Sequence, residues 1–385
     1  MKRQVLRHFL PKFLLTALLF PTVLIQAQSA PKSQPALSVR VVSRAMVYAH
    51  PSADPYDPNN RYGFNHAPSV VLLPDSRLMA TWFSGPYEAS VNQLILASYS
   101  SDQGKTWSAA EIFQDFPRKS DFDPAFIADG KRTWFFFSAG RWNRWPAVKE
   151  ESKLVGMDSY STYFRYSDDA GRTWSSPEAA TEKHFCRSNG IKLSTGELLL
   201  PIYETIDGND RSGVLKSTDD GKSWKAIGGI GTDADADEPT IAELNSGAVM
   251  MILRTHDGFI WRTLSHDKGN SWSTPEKLDI AAANTSHNLF HLKDGRLLLT
   301  NNESRHRRTP LTLRVSADEG NTWSDAFKLT EVTIPPEGDP IWDRQVSYPS
   351  VAQLADGSVI VVWSEIILGD DEQYGDIRSA RVSVQ

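Results

Sequence analysis

Five copies of one octapeptide constrain this chain more than any other feature. They are Ser100-Ser-Asp-Gln-Gly-Lys-Thr-Trp107, Ser167-Asp-Asp-Ala-Gly-Arg-Thr-Trp174, Ser217-Thr-Asp-Asp-Gly-Lys-Ser-Trp224, Ser265-His-Asp-Lys-Gly-Asn-Ser-Trp272 and Ser316-Ala-Asp-Glu-Gly-Asn-Thr-Trp323. Their Trp residues stand 67, 50, 48 and 51 positions apart. Each copy reads as a tight turn. Asp accepts hydrogen bonds from backbone two residues on, Gly takes a positive φ, and Ser or Thr ties the ends. Trp then drops onto the apolar side of a hairpin. A period near 50 residues with β-type patterning marks a repeat architecture, and a propeller blade of four strands has that length.

A second repeat sets the blade number. An apolar strand, a turn and another apolar strand occur six times, over Val70–Phe83, Phe126–Ser138, Gly190–Tyr203, Thr240–Leu253, Asn288–Asn301 and Ser350–Trp363. The turn residues Ser76, Gly130, Gly196, Gly247, Gly295 and Gly357 read as hairpin loops. A third strand follows each pair, the last being Ile377–Val384, just before Gln385. The sixth blade therefore lacks a fourth strand of its own. The alternating, β-branched segment Leu37–Tyr48 has no partner near it and is expected to close the ring, which removes an otherwise free edge. The reading is an all-β, six-bladed propeller over residues 28–385, about 60 residues per blade, with no room for a further domain.

The first 27 residues read as an address. Lys2, Arg3, Arg7 and Lys12 precede an apolar stretch from Phe13 to Ile25, with Ala27 in a small-residue context and Gln28 or Ala30 as a mature start. That layout of charge, apolar run and small residues is a secretory signal peptide, so an exported, periplasmic or secreted protein is expected. The stretch is shorter than the roughly 20 residues that span a bilayer, and Pro21 interrupts it. The net charge of -6 argues against a nucleic-acid partner, because counterion release needs a basic face. Cys186 is the only cysteine, which excludes an intrachain disulfide and a Cys-based zinc site. Asp233-Ala-Asp-Ala-Asp237 lacks the Gly and Glu of a calcium loop and reads as a solvated loop. No metal or cofactor is expected.

In a propeller the first strand of each blade lines the central channel, and the second returns to the same mouth. First-strand starts supply His66, Asp123, Arg187 with Asn189, Glu238, His287 and Tyr348. Second-strand ends supply Trp82, Arg141, Glu204, Arg254, Asn301 with Asn302, and Glu365. So much polarity at one mouth points to a polar ligand rather than to a channel filled for stability.

The octapeptide series resembles the Asp-box of the sialidase superfamily, and the chain is similar to bacterial sialidase-like (BNR-repeat) proteins over essentially its whole mature length. The resemblance implies a Tyr nucleophile activated by a Glu, a carboxylic acid/base on a loop, and three Arg that clamp a substrate carboxylate, an exception to two-carboxylate glycoside hydrolysis. Glu238 in Glu-Pro-Thr-Ile and Arg254 in Met-Ile-Leu-Arg resemble the family's Glu and second Arg. Arg308 falls where the third Arg belongs, and Tyr348 in Ser-Tyr-Pro-Ser-Val where the nucleophile belongs. Glu365 resembles the Glu that braces the first Arg. That first Arg has no match. In Phe64-Asn-His66-Ala-Pro68, His66 stands in its place as a weaker donor, a general base or a packed residue. Glu88 in Gly-Pro-Tyr-Glu-Ala-Ser is the nearest carboxylate for the acid/base.

Three functions follow as expectations. The first is a sialidase-type hydrolase that removes a terminal acidic sugar from a glycan partner. The second is a propeller glycosidase or lyase acting on another acidic or neutral glycan through His66. The third is a glycan-binding propeller without turnover. The bland alternatives are a core Tyr for Tyr348, a structural ion pair for Glu238 and Arg254, and a solvated basic loop for Arg308 with Arg305, His306 and Arg307.

Overall fold

Alternating apolar residues between turn signals fold into six four-to-five-stranded antiparallel sheets in the computed structural model, which describes residues 38–54, 57, 59–142 and 157–385. The expected signal peptide lies outside those residues. Blade one comprises Phe64–Leu72, Leu78–Gly85, Leu94–Ser100 and Glu111–Gln114, and blades two to five repeat that order. Blade six takes Ile341–Gln353, Val359–Gly369 and Gln373–Val384 from the end of the chain and Val39–Tyr48 from its beginning. The N-terminal strand pairs from Val39 opposite Val384 to Tyr48 opposite Ile377, so the closure expected from the unpartnered segment is present. Blade three departs from the pattern: its first strand is broken into Phe185–Cys186 and Ile191–Lys192, both pairing with Leu198–Ile206. The first strands pack side by side around the axis, that of blade one between those of blades six and two. All six hairpin-turn residues named from the sequence have positive φ, Ser76 included.

Six apolar clusters fill the six spaces between neighbouring blades. Each octapeptide Trp packs into the space shared with the preceding blade: Trp107 with blade six, Trp174 with blade one, Trp224 with blade two, Trp272 with blade three and Trp323 with blade four. The space between blades five and six receives no octapeptide Trp. There Val39 and Val41 of the N-terminal strand pack beside Phe290, Phe327 and Val384. The borrowed strand thus fills a space as well as an edge.

The octapeptide turn differs from its expected bonding in one respect. Asp102 accepts from the amides three and four residues on, Lys105 and Thr106, at 3.1 and 3.0 Å, and from the Thr106 hydroxyl at 2.7 Å. Ser100 Oγ meanwhile accepts from Gly104 N at 2.9 Å. The chain reverses through two consecutive positive-φ residues, Gln103 and Gly104, which leaves the nearer amides facing away. The Thr106 hydroxyl and amide hold the Asp102 carboxyl down at about 2, and Asp219 and Asp267 are held at about 2 by Ser223 and Ser271 in the same way. A carboxyl whose folded pKa is depressed stabilises the fold above its unfolded value near 3.9 and loses that contribution as pH falls through the folded value. The melting-temperature gap between wild type and Asp102→Asn should therefore be full above about pH 4 and close towards pH 2. A gap that stays constant across that window contradicts this account.

Candidate active site

The ring of site residues is set by counting. The amides that open the six inner hairpins belong to Leu73, Asp129, Leu193, Leu244, Leu292 and Leu354. Six residues before each stand Ala67, Asp123, Arg187, Glu238, Ser286 and Tyr348, one per blade at equivalent depth. Four of these precede a Pro, and all four have positive φ: Ala67 53°, Asp123 51°, Glu238 38° and Tyr348 58°. Each also sits in a pairing irregularity, between His66 and Ser69, Phe122 and Ala125, Asp237 and Thr240, or Ser347 and Ser350. A bulge re-aims a side chain that regular alternation would send elsewhere, and left-handed backbone at a bulky residue is strain held by the surrounding sheet. The result is a pit lined by His66, Phe83, Glu88, Gln93, Phe122, Asp123, Trp142, Glu238 and Tyr348.

Tyr348 and Glu238 meet across that pit, although 110 residues separate them in the chain. The Tyr348 hydroxyl donates to Glu238 Oε1 at 2.9 Å and accepts from Arg254 Nη1 at 2.9 Å. Arg254 Nη1 also lies 2.7 Å from Glu238 Oε2. The direction of the phenol's bond is fixed, since a guanidinium can only donate. Burial raises the Tyr348 pKa; Arg254 pulls it down and Glu238 opposes that. Burial works against the Glu238 carboxylate too, but Arg254 and then Arg187 outweigh it and bring its pKa below the ordinary value. At neutral pH the pair is thus a neutral phenol beside an ionised carboxylate.

The two guanidinium groups share a support that the sequence reading did not include. Arg254 Nε donates to Asn284 Oδ1 at 2.6 Å, and Arg308 Nε donates to the Asn284 carbonyl at 3.1 Å. Arg308 Nη1 also donates to Gln345 Oε1 at 3.2 Å, and its Cζ lies 5.5 Å from the Tyr348 ring centre. Its neighbours Arg305, His306 and Arg307 are exposed, whereas Arg308 turns inward. Among the described residues no carboxylate stands within ion-pair reach of Arg308, so its charge remains open to an anionic ligand. Asp237, read as part of a solvated loop, instead faces Arg254 Nε at 3.5 Å and is pushed up to about 7, by burial first. Its signal was its place beside Glu238 at the head of the strand.

Glu88 and Asp123 complete the acidic side of the pit. Glu88 remains open to solvent at the lip while protein crowds it from the other sides. That lost hydration raises its pKa, with Arg308 and Arg254 opposing and Glu238 adding. Burial, and then the charge of Glu238, push Asp123 up to about 8, so it holds its proton at neutral pH.

Four residues expected in contact with a ligand stand elsewhere. Asn189 lies two positions past the ring, accepting from Phe126 N at 2.8 Å and donating to the Val70 carbonyl at 2.9 Å; it ties three blades together. His287 lies one position past the ring, buried, with its pKa pushed down to about 3 by burial and Arg254. Glu365 faces Arg378 at 3.3 Å and braces no cation of the pit. Arg187 is a ring member but lies behind Tyr348, 1% exposed, with Cζ 4.9 Å from the phenol ring and Nη2 donating to the Pro68 and Tyr348 carbonyls at 3.4 Å each. Cys186 is fully buried, its thiol pushed up to about 12 by burial. Blade three's first strand is interrupted beside Asn189, and in blade five the pairing begins only at Asn288, so the start of the strand does not mark ring depth in either blade.

Fold and pit together define a six-bladed propeller with an acid–phenol–guanidinium constellation at one mouth of its channel. The chain belongs to the BNR repeat-like domain family, whose model matches residues 76–361. It is 25% identical over 345 residues to a sialidase of Micromonospora viridifaciens, covering 78% of this chain and 50% of that protein. It spans about half the length of the curated relatives it matches first. A protein of unknown function from Dyadobacter fermentans shares the fold at a TM-score of 0.72 and 18% identity, over 90% of this chain and 99% of that one. The NanB sialidase from Streptococcus pneumoniae does so at 0.69 and 15% identity, over 88% and 70%.

Proposed function

We propose that this chain is an exported glycoside hydrolase of the sialidase type, which releases a terminal acidic sugar from glycans. The observation that carries the reading is the Tyr348 hydroxyl donating to Glu238 while Arg254 holds both groups. A phenol is a poor nucleophile until a base takes its proton, and an ionised Glu238 at 2.9 Å is such a base. As the Tyr348 oxygen bonds to the anomeric carbon, its proton passes to Glu238. The glycosidic oxygen leaves with the proton of Glu88, whose raised pKa suits an acid. Water then gives a proton to Glu88 and its oxygen to the anomeric carbon as the bond from that carbon to the Tyr348 oxygen breaks, and Tyr348 recovers its proton from Glu238. Arg308 and Arg254 hold the sugar carboxylate by charge-assisted hydrogen bonds. A neutral phenol also avoids the repulsion that a carboxylate nucleophile would feel beside that anion.

The test is release from aryl glycosides of sialic acid, a uronic acid and a neutral sugar. Turnover of the sialoside alone supports the proposal. Turnover of only the uronide or the neutral glycoside transfers it to the second reading, and binding without turnover to the third. Export rests on the charged, apolar and small-residue layout of the first 27 residues. N-terminal sequencing of protein recovered outside the cytoplasm should begin at Gln28 or Ala30, and an intact Met1 there contradicts it.

A further inference from the structure

His66 is buried to 2% exposure in the pit wall, and three aromatic rings pack against its own. Tyr348 packs against it at 4.1 Å between ring centres, Phe83 at 5.5 Å and Phe64 at 5.9 Å, the last two edge to face. Its Nδ1 lies 3.0 Å from Ser364 Oγ. Its Nε2, equally buried, has no hydrogen-bond partner among the described residues.

The Ser364 hydroxyl decides where the imidazole proton sits. Ser364 Oγ accepts from the Ala67 amide at 3.1 Å, a group that can only donate. The hydroxyl's own hydrogen then has one acceptor among its contacts, His66 Nδ1. An Nδ1 that accepts leaves the neutral ring's proton on Nε2, the unpartnered nitrogen of a residue that lines the pit. The surroundings keep the ring neutral. Burial disfavours a positive charge on the ring most, and Arg308 from the loop of blade five, Arg187 from blade three and Arg254 from blade four each disfavour it further. Glu88, Asp123 and Glu238 share the pit wall, but Glu238 is already paired with Arg254 and Asp123 is protonated at neutral pH.

We propose that His66 is a substrate-binding residue acting as a neutral donor, its Nε2–H directed to an oxygen of the acidic sugar in the pit. This rests on the hydrolase reading for the identity of the sugar. It gives the sugar acid an uncharged contact beside those of Arg254 and Arg308, while a third cation, Arg187, packs against the Tyr348 ring and donates to the Tyr348 carbonyl. His66 is thus neither a general base nor mere packing.

Two side chains separate these roles. Asn reproduces the reach of Nδ1, so His66→Asn keeps the Ser364 contact but withdraws from the pit; Gln reproduces the reach of Nε2. On an aryl sialoside, His66→Gln should stay within about tenfold of wild type in kcat/KM, while His66→Asn loses about 10- to 100-fold, mainly through KM, as expected for a lost bond to a charged acceptor. The reverse order overturns the proposal, because a packing role favours Asn. The second measurement needs no turnover. Imidazole nitrogen NMR of the full chain, with His66→Asn to assign the signal, should show a neutral ring protonated at Nε2 from pH 6 to 8. Free N-acetylneuraminate should shift that signal. An Nδ1-protonated or cationic ring at pH 6, or a signal unmoved by saturating sugar acid, overturns the proposal. A wild type that shifts with the sugar acid but hydrolyses no sialoside sinks the hydrolase reading and leaves the donor role of His66 standing.

Discussion

Replacing Tyr348 by Phe is expected to lower kcat/KM on an aryl sialoside by about 10³-fold or more, with the fold intact. The single oxygen removed is the proposed nucleophile. Its loss leaves Arg254 and Glu238 still facing each other at 2.7 Å, so neither charge is stranded. The ring keeps its packing against His66 and Arg187. Glu238→Gln should reduce kcat by about 10²- to 10⁴-fold, the range for a lost general base, because burial holds the phenol's proton in place without it. It also leaves Arg254 short of its nearest carboxylate, so a drop in melting temperature is expected for this variant and not for Tyr348→Phe. The two changes should be far from additive, since nucleophile and base act as one unit. A Tyr348→Phe protein that hydrolyses sialosides within tenfold of wild type removes the phenol from the mechanism. In that event the propeller stands and the proposed chemistry does not.

Removing residues 1–48 should leave a chain that does not fold to a stable monomer. The deleted strand pairs along nearly its whole length with Gln373–Val384. Val39 and Val41 fill the space between blades five and six, and Val47 and Tyr48 join the cluster between blades six and one. Four such side chains at roughly 1–2 kcal/mol each, some only half-buried, amount to about 4–8 kcal/mol, against a total of about 5–15 for a domain. The exposed edge of Gln373–Val384 would also template aggregation. The strand's neighbours suggest a control. Ser38 and Gln385 exchange backbone hydrogen bonds at 3.0 and 2.9 Å, so the two ends lie side by side. A permutant that begins at Pro51 and carries residues 38–50 after Gln385, joined by a short turn, should recover the melting temperature. A truncated protein that melts like wild type, as a monomer, contradicts the closure argument.

Much of this architecture was legible because its causes are local. An octapeptide turn is built from a Ser, an Asp, a Gly and a hydroxyl within eight residues, so each copy announces itself wherever it occurs. The borrowed strand was legible for a related reason: Leu37–Tyr48 alternates with no neighbour to pair with, while the last hairpin lacks a fourth member. Tyr348, Glu238 and Asp123 were reached by reading the starts of the inner strands, where each precedes a Pro. Asn189 and His287 come from the same reading but stand two positions and one position past the ring, because the start of an inner strand is a looser marker of depth than the distance back from its hairpin turn. Glu365 is both a second-strand end and a residue named by resemblance, yet its partner is Arg378 on the neighbouring strand.

Blade number, the closing strand and the residue types that reach the inner mouth can be read along the chain, because turn chemistry and apolar alternation act between near neighbours. Which of those side chains face one another is set by how the ring closes. The Tyr348–Glu238 bond spans 110 positions and the His66–Ser364 contact 298. Distances of that kind depend on how six sheets close around an axis and on where each strand bulges. So do the charges: Asp123 keeps its proton while Glu238 loses its own, although both are buried carboxyls at the same ring depth. Arg254 lies against one and not the other, and no local pattern in the chain records that proximity.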